Sequence, residues 1–372
     1  MIGTLEVGGA ERHIAQIFPR LHKLCGYEVA VCALSRLGPL QKDLESGGIR
    51  VFGKQRVTQK VIFSSSFICR IRTRCVTVLR LLQEIILFLN AVYEFRPNIV
   101  HFYLPQAYIT AGVTSLIVPG IRRVMSRRSL NDYQKGVKYV RSIESFLHSK
   151  MNMITGNSKA VVEQLKGEGV PAEKIRLIYN GVNIPSTEVL DADSGATLEI
   201  VCVANLIPYK GHLDLLEALS GLPENLDWHL TCVGRGLDYL TLLNNEVIAK
   251  GLNKRITFVG ATTSPNDYLI KASVGVNCSH QEGFSNAVLE YMAFGLAIVV
   301  TDVGGNAEAI RNEIDGLVIE SGSPVELRKA ILRLFDGDLR KQFGRSARVR
   351  AAASFNLDEC VGEYKRMYAE LV

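Results

Sequence analysis

Residues 272–279 form a short apolar run in which branched and small side chains alternate. The run is followed by Gly283, so it predicts a buried strand that opens into a tight turn. Residues 286–294 then contain good helix formers without glycine or proline. Ser285 is a favourable N-cap residue and Gly295 stands at the usual stop position, so a helix is predicted between them.

Short apolar runs alternate with amphipathic stretches along the rest of the chain as well. The predicted strands and helices include 10–23, 27–34, 49–52, 97–105, 198–204 and 357–371. Strands that alternate with helices indicate an α/β fold. A polar stretch at 184–197 is interpreted as a linker. The predicted parts are therefore an N-terminal domain (1–183), a C-terminal domain (184–355) and a last helix (356–372).

The predicted helix start after Gly283 is a candidate anion site. The first amide groups of a helix have no helical partner and lie at the positive end of its dipole, which suits phosphate. Glu282 lies in the loop and Glu290 lies one turn inside the helix, on the face of Asn286. Carboxylates repel phosphate, so this pair suits neutral hydroxyls such as those of a sugar or ribose. A solvated helix start with two surface acids is the alternative that the spacing leaves open.

Composition places the chain among ordinary globular proteins. With 372 residues, 47% apolar and 22% charged, it is long enough for two domains. Its eight cysteines are scattered without metal-ligand spacing, which is typical of reduced core residues in a cytoplasmic protein. We find no cleavable signal pattern at the start and no uncharged run of membrane-spanning length, so an integral membrane protein is not expected.

The charge is divided unevenly between the two halves. Residues 1–180 contain 26 Lys and Arg against 12 Asp and Glu, a net charge of +14, whereas residues 181–372 contain 17 against 25, or −8. A basic first half suits an anionic partner such as a phospholipid surface or a diphosphate-linked lipid. Residues 61–74 interleave Arg with Phe and Ile and are interpreted as membrane contact rather than packing, whereas 81–93 are interpreted as a packing helix. No nucleic-acid motif accompanies the charge, so no nucleic-acid partner is predicted.

Seven short motifs follow one another along the chain in the order that one enzyme family uses. They are Gly8-Gly-Ala-Glu-Arg12, Asn180-Gly-Val182, Val203 to Gly211, Val233-Gly-Arg-Gly236, Phe258-Val-Gly260, Glu282-Gly-Phe-Ser to Glu290, and Ala297 to Asn306. Together they resemble the signature of family 4 retaining glycosyltransferases. The resemblance implies the GT-B fold, in which two Rossmann-like, doubly wound parallel-sheet domains face each other across a cleft and the last helix packs back on the first domain.

The resemblance also implies substrates and residue roles. The donor is expected to be a UDP- or GDP-sugar in the C-terminal domain, and the acceptor a lipid-linked or polysaccharide glycan at the N-terminal domain. Glu290 is expected to hold ribose hydroxyls, Glu282 sugar hydroxyls, and Lys210 the diphosphate leaving group. The other expected donor-site residues are Gly8, Gly9, Asn205, Arg235, Gly283, Phe284, Ser285 and Asn286. The family often has an arginine shortly before this lysine, which is missing here, and Arg235 is the candidate replacement.

Acceptor-side candidates lie in the first domain. Some family members carry a functional histidine where this chain has Tyr103, and His101 stands two residues earlier, so both are catalytic candidates. Arg127 and Arg128 end another strand with cations that suit an acceptor phosphate. A core histidine and a solvated charge cluster are the structural alternatives.

Several further expectations complete this interpretation. A lysine and a helix N-terminus can replace a divalent cation, so no metal and no other cofactor is expected. The protein is expected at the inner face of the cytoplasmic membrane as a peripheral protein. The family has a full strand before Gly8, whereas Met1 falls near the end of that strand, so an upstream start or a truncated product is expected. The alternatives are a sugar-nucleotide epimerase and a non-catalytic subunit. An oxidoreductase would need a G-x-G-x-x-G motif after the first strand, which the sequence Gly8-Gly-Ala-Glu does not supply.

Overall fold

The structure is a computed structural model and describes residues 1–54, 67–131, 138–186, 197–262 and 264–372. Strands and helices alternate, as the hydrophobic pattern predicts. The strands are β1 (Ile2–Thr4), β2 (Ala30–Arg36), β3 (Arg50–Gly53), β4 (Ile99–Tyr103), β5 (Arg122–Arg127), β6 (Met153–Gly156), β7 (Ile175–Leu177), β8 (Leu198–Val203), β9 (Trp228–Val233), β10 (Ile256–Gly260), β11 (Val274–Asn277), β12 (Ala297–Thr301) and β13 (Leu317–Ile319). The helices are α1 (Gly9–Cys25), α2 (Gln41–Ser46), α3 (Phe67–Phe95), α4 (Pro105–Ser115), α5 (Lys138–Lys150), α6 (Lys159–Gly167), α7 (His212–Ser220), α8 (Leu237–Ala249), α9 (Asn266–Leu269), α10 (Asn286–Phe294), α11 (Asn306–Ala309), α12 (Pro324–Arg333), α13 (Gly337–Ser354) and α14 (Leu357–Ala369).

The chain divides into two compact units. Unit 1 comprises Met1–Gly156, Val162–Ile178 and Val361–Val372, and unit 2 comprises Asn157–Val161 and Tyr179–Cys360. The sequence prediction places 157–161 and 179–183 in the first domain, whereas the structure assigns them to unit 2. Part of the reason is Glu308 of unit 2, whose carboxylate accepts hydrogen bonds from two backbone amides at the start of α6, 2.8 and 3.1 Å away.

Unit 1 contains a three-stranded parallel sheet in the order β1-β2-β3 and a four-stranded parallel sheet in the order β4-β5-β6-β7. The backbone amide of Tyr103 donates to the carbonyl of Met1 at 2.8 Å, and the amino group of Met1 donates to the carbonyl of His101 at 2.7 Å. These bonds bring β1 beside β4. The helix α4 contacts both α3 and α5.

Unit 2 contains one parallel sheet of six strands in the order β10-β9-β8-β11-β12-β13. Alternate residues of β8 contribute to two different core clusters, Ile200 and Cys202 to one and Val201 and Val203 to the other. Helices therefore cover both faces of the sheet, which explains why these strands read as continuous apolar runs. The strand order reverses between β8 and β11, and ligands of open α/β sheets bind outside the carboxyl ends of the strands at such a point.

The longest helix, α3, spans 29 residues. Neither α3 nor any other helix in the described part of the chain is both long and apolar enough to cross a bilayer. Of the predicted membrane-contact segment 61–74, residues 61–66 lie outside the described residues. For residues 67–74 only the helical backbone of α3 is described.

Candidate functional site

Four loops of unit 2 meet at the carboxyl edge of its sheet. They follow β8, β9, β11 and β12, and the strands that carry them are neighbours. Because all of these strands are parallel, their carboxyl ends face the same side. Lys210 follows β8 and Glu282 follows β11, so the two residues flank the point where the strand order reverses.

The start of α10 is built as its sequence predicts. Ser285 has an extended backbone, and its hydroxyl accepts a hydrogen bond from the amide of Val288 at 3.4 Å. The helix runs from Asn286 to Phe294 and ends at Gly295, which adopts the left-handed conformation with φ 71°. A capped start of this kind directs amide groups and the positive end of the dipole toward the loop that contains Glu282.

Lys210 and Glu282 form a partly buried ion pair. The ammonium nitrogen of Lys210 lies 2.6 Å from Oε1 of Glu282, and their side chains are 16% and 11% exposed. Burial alone lowers the pKa of the Lys210 ammonium, but the charge and hydrogen bond of Glu282 outweigh burial and raise that pKa above its ordinary value. Lys210 therefore keeps its positive charge at neutral pH.

Two neutral side chains also hold Oε1 of Glu282. The hydroxyl of Ser279 donates to it at 2.9 Å and the amide group of Asn277 at 3.1 Å. Asn277 also donates to the hydroxyl of Ser285 at 3.1 Å, and its own oxygen accepts from the side chain of Asn306 at 3.3 Å. Asn277 is thus a buried amide that connects the carboxylate, the helix cap and the loop after β12.

Sequence reasoning missed Asn277, Ser279 and Asn306 as parts of the site. The available signal was a polar residue at the carboxyl end of a strand that is otherwise apolar, as Asn277 is in β11. A buried polar side chain needs hydrogen-bond partners, so such a position indicates a local network. The partners themselves come from different loops, and only the fold brings them together.

Glycines allow the loops to lie against each other. A Cβ atom at Gly211, which has φ 71°, would lie 1.9 Å from the carbonyl oxygen of Cys278. At Gly304, with φ 54°, a Cβ atom would lie 2.0 Å from the carbonyl oxygen of Glu282. Any larger residue would displace backbone at both positions, so Gly211 fixes the distance between the loops after β8 and β11, and Gly304 that between the loops after β11 and β12.

The other predicted donor-site residues of unit 2 line the same loops. Asn205 accepts from the amide of Arg235 at 3.3 Å, and the Arg235 side chain is exposed. The carbonyl of Gly283 accepts from the amide of Gly305 at 2.8 Å. Phe284 is buried in an aromatic cluster with centroid distances of 4.9 Å to Tyr179 and 5.3 Å to Phe355. The structure places Asn286 in the first turn of α10 and Glu290 in the second, both half-buried.

Asn180, from the Asn-Gly-Val motif, supports the first turn of α10. Its buried side-chain amide donates to the carbonyl of Phe284 at 2.9 Å and to the side-chain oxygen of Asn286 at 2.6 Å. The motif therefore has a structural purpose within unit 2.

The predicted residues of unit 1 have different environments. Gly8 and Gly9 stand at the start of α1, and Gly8 is its N-cap residue. His101 and Tyr103 are buried, with ring centroids 4.3 Å apart. The two ring nitrogens of His101 lie 2.7 Å from the hydroxyl of Tyr368 and 2.8 Å from that of Ser126, and burial holds its pKa well below the ordinary value. This is the environment of a core histidine, so neither residue is carried into the proposed function.

Arg127 differs from the predicted phosphate-binding cation. Its side chain is 2% exposed, and its guanidinium lies 3.1 Å from both carboxylate oxygens of Glu168 and 3.3 Å from Glu144. The charge is neutralised inside unit 1, so its acceptor role is replaced by a structural one. Arg128 is half-buried, and its charge contributes to the lowered pKa of His13 and of His101.

Comparison with known proteins assigns both halves of the chain. Residues 7–185 match the family described as Glycosyltransferase Family 4, and residues 197–337 match the family described as Glycosyl transferases group 1. The chain belongs to the family 4 glycosyltransferases. The motifs from Gly8 to Asn306 on which the sequence resemblance rests lie within these two matched regions.

Two relatives of this family 4 glycosyltransferase have similar sequences. An uncharacterized glycosyltransferase of Methanocaldococcus jannaschii is 27% identical over 246 residues, which cover 63% of this chain and 62% of the relative. The N-acetylgalactosamine-N,N'-diacetylbacillosaminyl-diphospho-undecaprenol 4-alpha-N-acetylgalactosaminyltransferase of Campylobacter jejuni is 27% identical over 216 residues, or 56% of this chain and 58% of the relative. The matches therefore span less than two thirds of either relative.

A solved structure shows the fold over the full chain. HepE of Anabaena in complex with UDP-glucose has a TM-score of 0.81 at 18% identity, and the match covers 99% of both chains. The predicted fold class is confirmed, since the chain is α/β with parallel sheets in two units and its structural neighbours are GT-B glycosyltransferases.

Proposed function

We propose that this protein is a retaining glycosyltransferase that moves a sugar from a UDP- or GDP-sugar to a lipid-linked or polysaccharide acceptor in cell-envelope glycan synthesis. The observation that carries the proposal is the meeting of Lys210, Glu282 and the start of α10 at the point where the strand order of unit 2 reverses. A cation, a helix N-terminus and a carboxylate at one place suit a molecule that joins a diphosphate to a sugar.

The donor is proposed to bind with its diphosphate at Lys210 and the amides of Ser285 and Asn286. Glu282 accepts hydrogen bonds from sugar hydroxyls, and Glu290 accepts them from the ribose. An ammonium group has three donor positions and a carboxylate has two acceptor oxygens. The Lys210 and Glu282 pair can therefore persist while each partner also contacts the donor.

In the proposed reaction, the bond between the anomeric carbon and the diphosphate oxygen breaks, and its electron pair stays on that oxygen. An acceptor hydroxyl forms the new bond on the same face of the sugar, and its proton passes to the departing diphosphate. Negative charge grows on the leaving oxygen during this step, so fixed positive groups stabilise the transition state. Lys210 and the positive end of the α10 dipole are such positive groups. We therefore propose that the reaction is metal-independent.

The relatives guide the choice of substrates. HepE of Anabaena binds UDP-glucose, and the Campylobacter jejuni relative is named for a diphospho-undecaprenol-linked sugar. These names support a UDP-sugar as the first donor to test and a lipid diphosphate as the acceptor class. An acceptor of that class lies in a membrane, so we propose a peripheral location at the inner face of the cytoplasmic membrane.

A panel of nucleotide sugars tests the donor site. We expect one UDP- or GDP-sugar to raise the melting temperature selectively, since a ligand at about 100 times its dissociation constant stabilises the folded state by about 2.7 kcal/mol. The shift and the slow hydrolysis of that donor should be the same in EDTA and in Mg²⁺. Glu290→Gln should weaken the shift, whereas the exposed control Glu320→Gln should not. If no nucleotide sugar raises the melting temperature or is hydrolysed, the result would favour a non-catalytic subunit.

Asn277→Asp tests whether the network under Glu282 matters for the sugar. The new carboxylate replaces the amide that donates to Glu282 at 3.1 Å. Two adjacent carboxylates raise the pKa of one of them, and only the protonated form can donate as Asn277 does. Relative to wild type, the variant should bind the nucleotide sugar about tenfold more weakly at pH 8 than at pH 5.

Calorimetric titration at both pH values measures this difference. UDP alone lacks the sugar hydroxyls, so its affinity should change much less. Asn312→Asp is the matched control, because Asn312 acts only as an acceptor in its contact with the amide of Val318. An equal loss for UDP and UDP-sugar at both pH values would contradict the role assigned to Asn277.

A further inference from the structure

Large apolar side chains are concentrated on one outer face of unit 1. Among the described residues of unit 1, thirteen large apolar side chains are exposed. Eleven of them lie on α3, α4, α5 or the turn after α4, and the other two are Leu24 and Val372. Representatives are Leu82, Ile86, Tyr93, Ile117, Tyr139 and Phe146. Since α4 contacts both α3 and α5, the three helices form one contiguous group, and their exposed apolar side chains are called the apolar face below.

The helix α3 is apolar on two sides. Phe88 and Ala91 are buried, whereas Leu82 is 49% exposed and Ile86 is 56% exposed. Only part of 81–93 therefore packs inside unit 1. The sequence interpretation of this stretch as a packing helix holds for Phe88 and Ala91 but not for Leu82 and Ile86. An amphipathic helix in a globular protein usually has one apolar stripe, so a second stripe indicates a second apolar environment.

Most of the exposed charges around the apolar face are positive. Arg80, Arg141 and Lys150 are exposed on these helices, Arg96 directly follows α3, and the exposed Arg122 begins β5. The ammonium group of Lys150 lies 5.4 Å from the ring centroid of Phe146, so a cation and an exposed aromatic side chain occur together.

The acids of α3, α4 and α5 offset only one of these cations, since Glu84 pairs with Arg80 at 3.3 Å. Within the described part of these helices, the acidic residues are Glu84, Glu94 and Glu144. Glu84 and Glu144 are buried, and Glu94 forms an ion pair with Arg50. The face therefore presents apolar side chains and positive charge, a combination that suits an anionic bilayer better than a second copy of the same basic face.

We propose that the apolar face of α3, α4 and α5 docks on an anionic lipid bilayer. Leu82, Ile86 and Phe146 enter the interfacial region, and Arg141 and Lys150 contact lipid phosphates. The proposal rests on the proposed function, because a lipid-linked acceptor would be held in that bilayer. It moves the membrane contact from 61–74, where the sequence interpretation places it, to the described helices of unit 1.

Flotation of the full chain with vesicles tests the proposal, using phosphatidylcholine with and without phosphatidylglycerol. Wild type should bind the anionic vesicles and be released by salt. The triple variant Leu82→Gln, Ile86→Gln, Phe146→Gln should lower partitioning by about tenfold or more, and Arg141→Gln with Lys150→Gln should lower both binding and its salt dependence. Leu242→Gln with Ile248→Gln, on exposed positions of α8 in unit 2, is the matched control and should bind as wild type does.

Donor hydrolysis in solution separates this proposal from the proposed function. The docking variants should hydrolyse the nucleotide sugar at the wild-type rate, which also shows that they fold. If the wild-type protein hydrolyses no nucleotide sugar, the proposed function is contradicted, whereas the flotation result still tests the docking proposal. No binding of wild type to anionic vesicles at low salt would overturn the docking proposal. A concentration-dependent dimer that the triple variant abolishes, without vesicle binding, would also overturn it and assign the face to a second copy of the chain.

Discussion

Replacing Lys210 by methionine is expected to lower the turnover of the nucleotide-sugar donor by about 10²- to 10³-fold, or about 3 to 4 kcal/mol in activation free energy. The reason is that the leaving diphosphate gains negative charge in the transition state. Lys210 is the cation that the fold holds where the strand order of unit 2 reverses, between β8 and β11. The contact with Glu282 raises the Lys210 pKa, so the wild-type side chain is charged at neutral pH. The KM for the donor should change less than kcat, since most of the interaction develops as the bond breaks.

Lys250→Met is a suitable control for this measurement. Lys250 also forms an ion pair in unit 2, at 2.5 Å from Glu217, but it stands just after α8 and away from the four loops. Its replacement should leave donor hydrolysis unchanged. Lys210→Met leaves Glu282 with its contacts to Asn277 and Ser279, so the loop should keep its structure. Turnover of Lys210→Met within a few-fold of wild type would remove Lys210 from the mechanism.

The start of α10 shows what local sequence can predict. Its cap, its length and its stop are set by residues adjacent in the chain, namely Ser285, the run up to Phe294, and Gly295. These signals act within one turn of helix, so they do not depend on the rest of the fold. The same holds for most strands, whose apolar runs reflect burial on both faces of a parallel sheet.

The contact between Lys210 and Glu282 shows where local prediction ends. The two residues are 72 positions apart and were assigned separate tasks, one at the diphosphate and one at the sugar. Their pairing depends on β8 and β11 being neighbours and on Gly211, which lets the loop of Lys210 lie against the loop after β11. Spacing in the sequence contains no information about this neighbourhood, whereas the family resemblance brought both residues to the same site.

Burial is the property that spacing predicted least well. The sequence predicts Arg127 as a cation for an acceptor phosphate, with a solvated charge cluster as the alternative, yet Glu144 of α5 and Glu168 just after α6 pair with it in the interior. For α3 the error was in the other direction, since Leu82 and Ile86 were read as packed and are exposed. In both cases the pattern of one segment was correct, and the neighbouring segments decided its environment.

Arg127→Met is expected to destabilise unit 1 by about 3 to 5 kcal/mol at neutral pH. The variant leaves the carboxylate of Glu144, which is 0% exposed, and that of Glu168 without the cation that neutralises them. Burying an unpaired carboxylate is unfavourable, and removal of one partner from a buried ion pair is among the largest single-residue effects on stability. Urea unfolding, or hydrogen exchange of the amides in β5, measures this loss.

The loss should depend on pH in a defined direction. Without Arg127, the ionised carboxylate of the buried Glu144 is unfavourable in the folded protein, so the variant loses stability as pH rises and this carboxylate ionises. His148 acts in the same direction. Burial and then Arg127 lower its pKa to about 4 in the wild type, so wild type loses stability as pH falls from about 6.5 toward that value. Removing Arg127 raises the His148 pKa, and a protonated His148 can then pair with Glu168, 3.8 Å away.

The difference between wild type and Arg127→Met should therefore be larger at pH 8 than at pH 5. Adding Glu144→Gln to the variant should recover part of the stability at pH 8, because it removes a buried charge whose ion pair with Arg127 has been lost. Arg176→Met is the matched control: Arg176 pairs with Glu370 at the surface of unit 1, and exposed pairs contribute about 0 to 1 kcal/mol. A loss below about 1 kcal/mol for Arg127→Met, together with weaker binding of a lipid diphosphate, would restore the acceptor role that the sequence predicts for this residue.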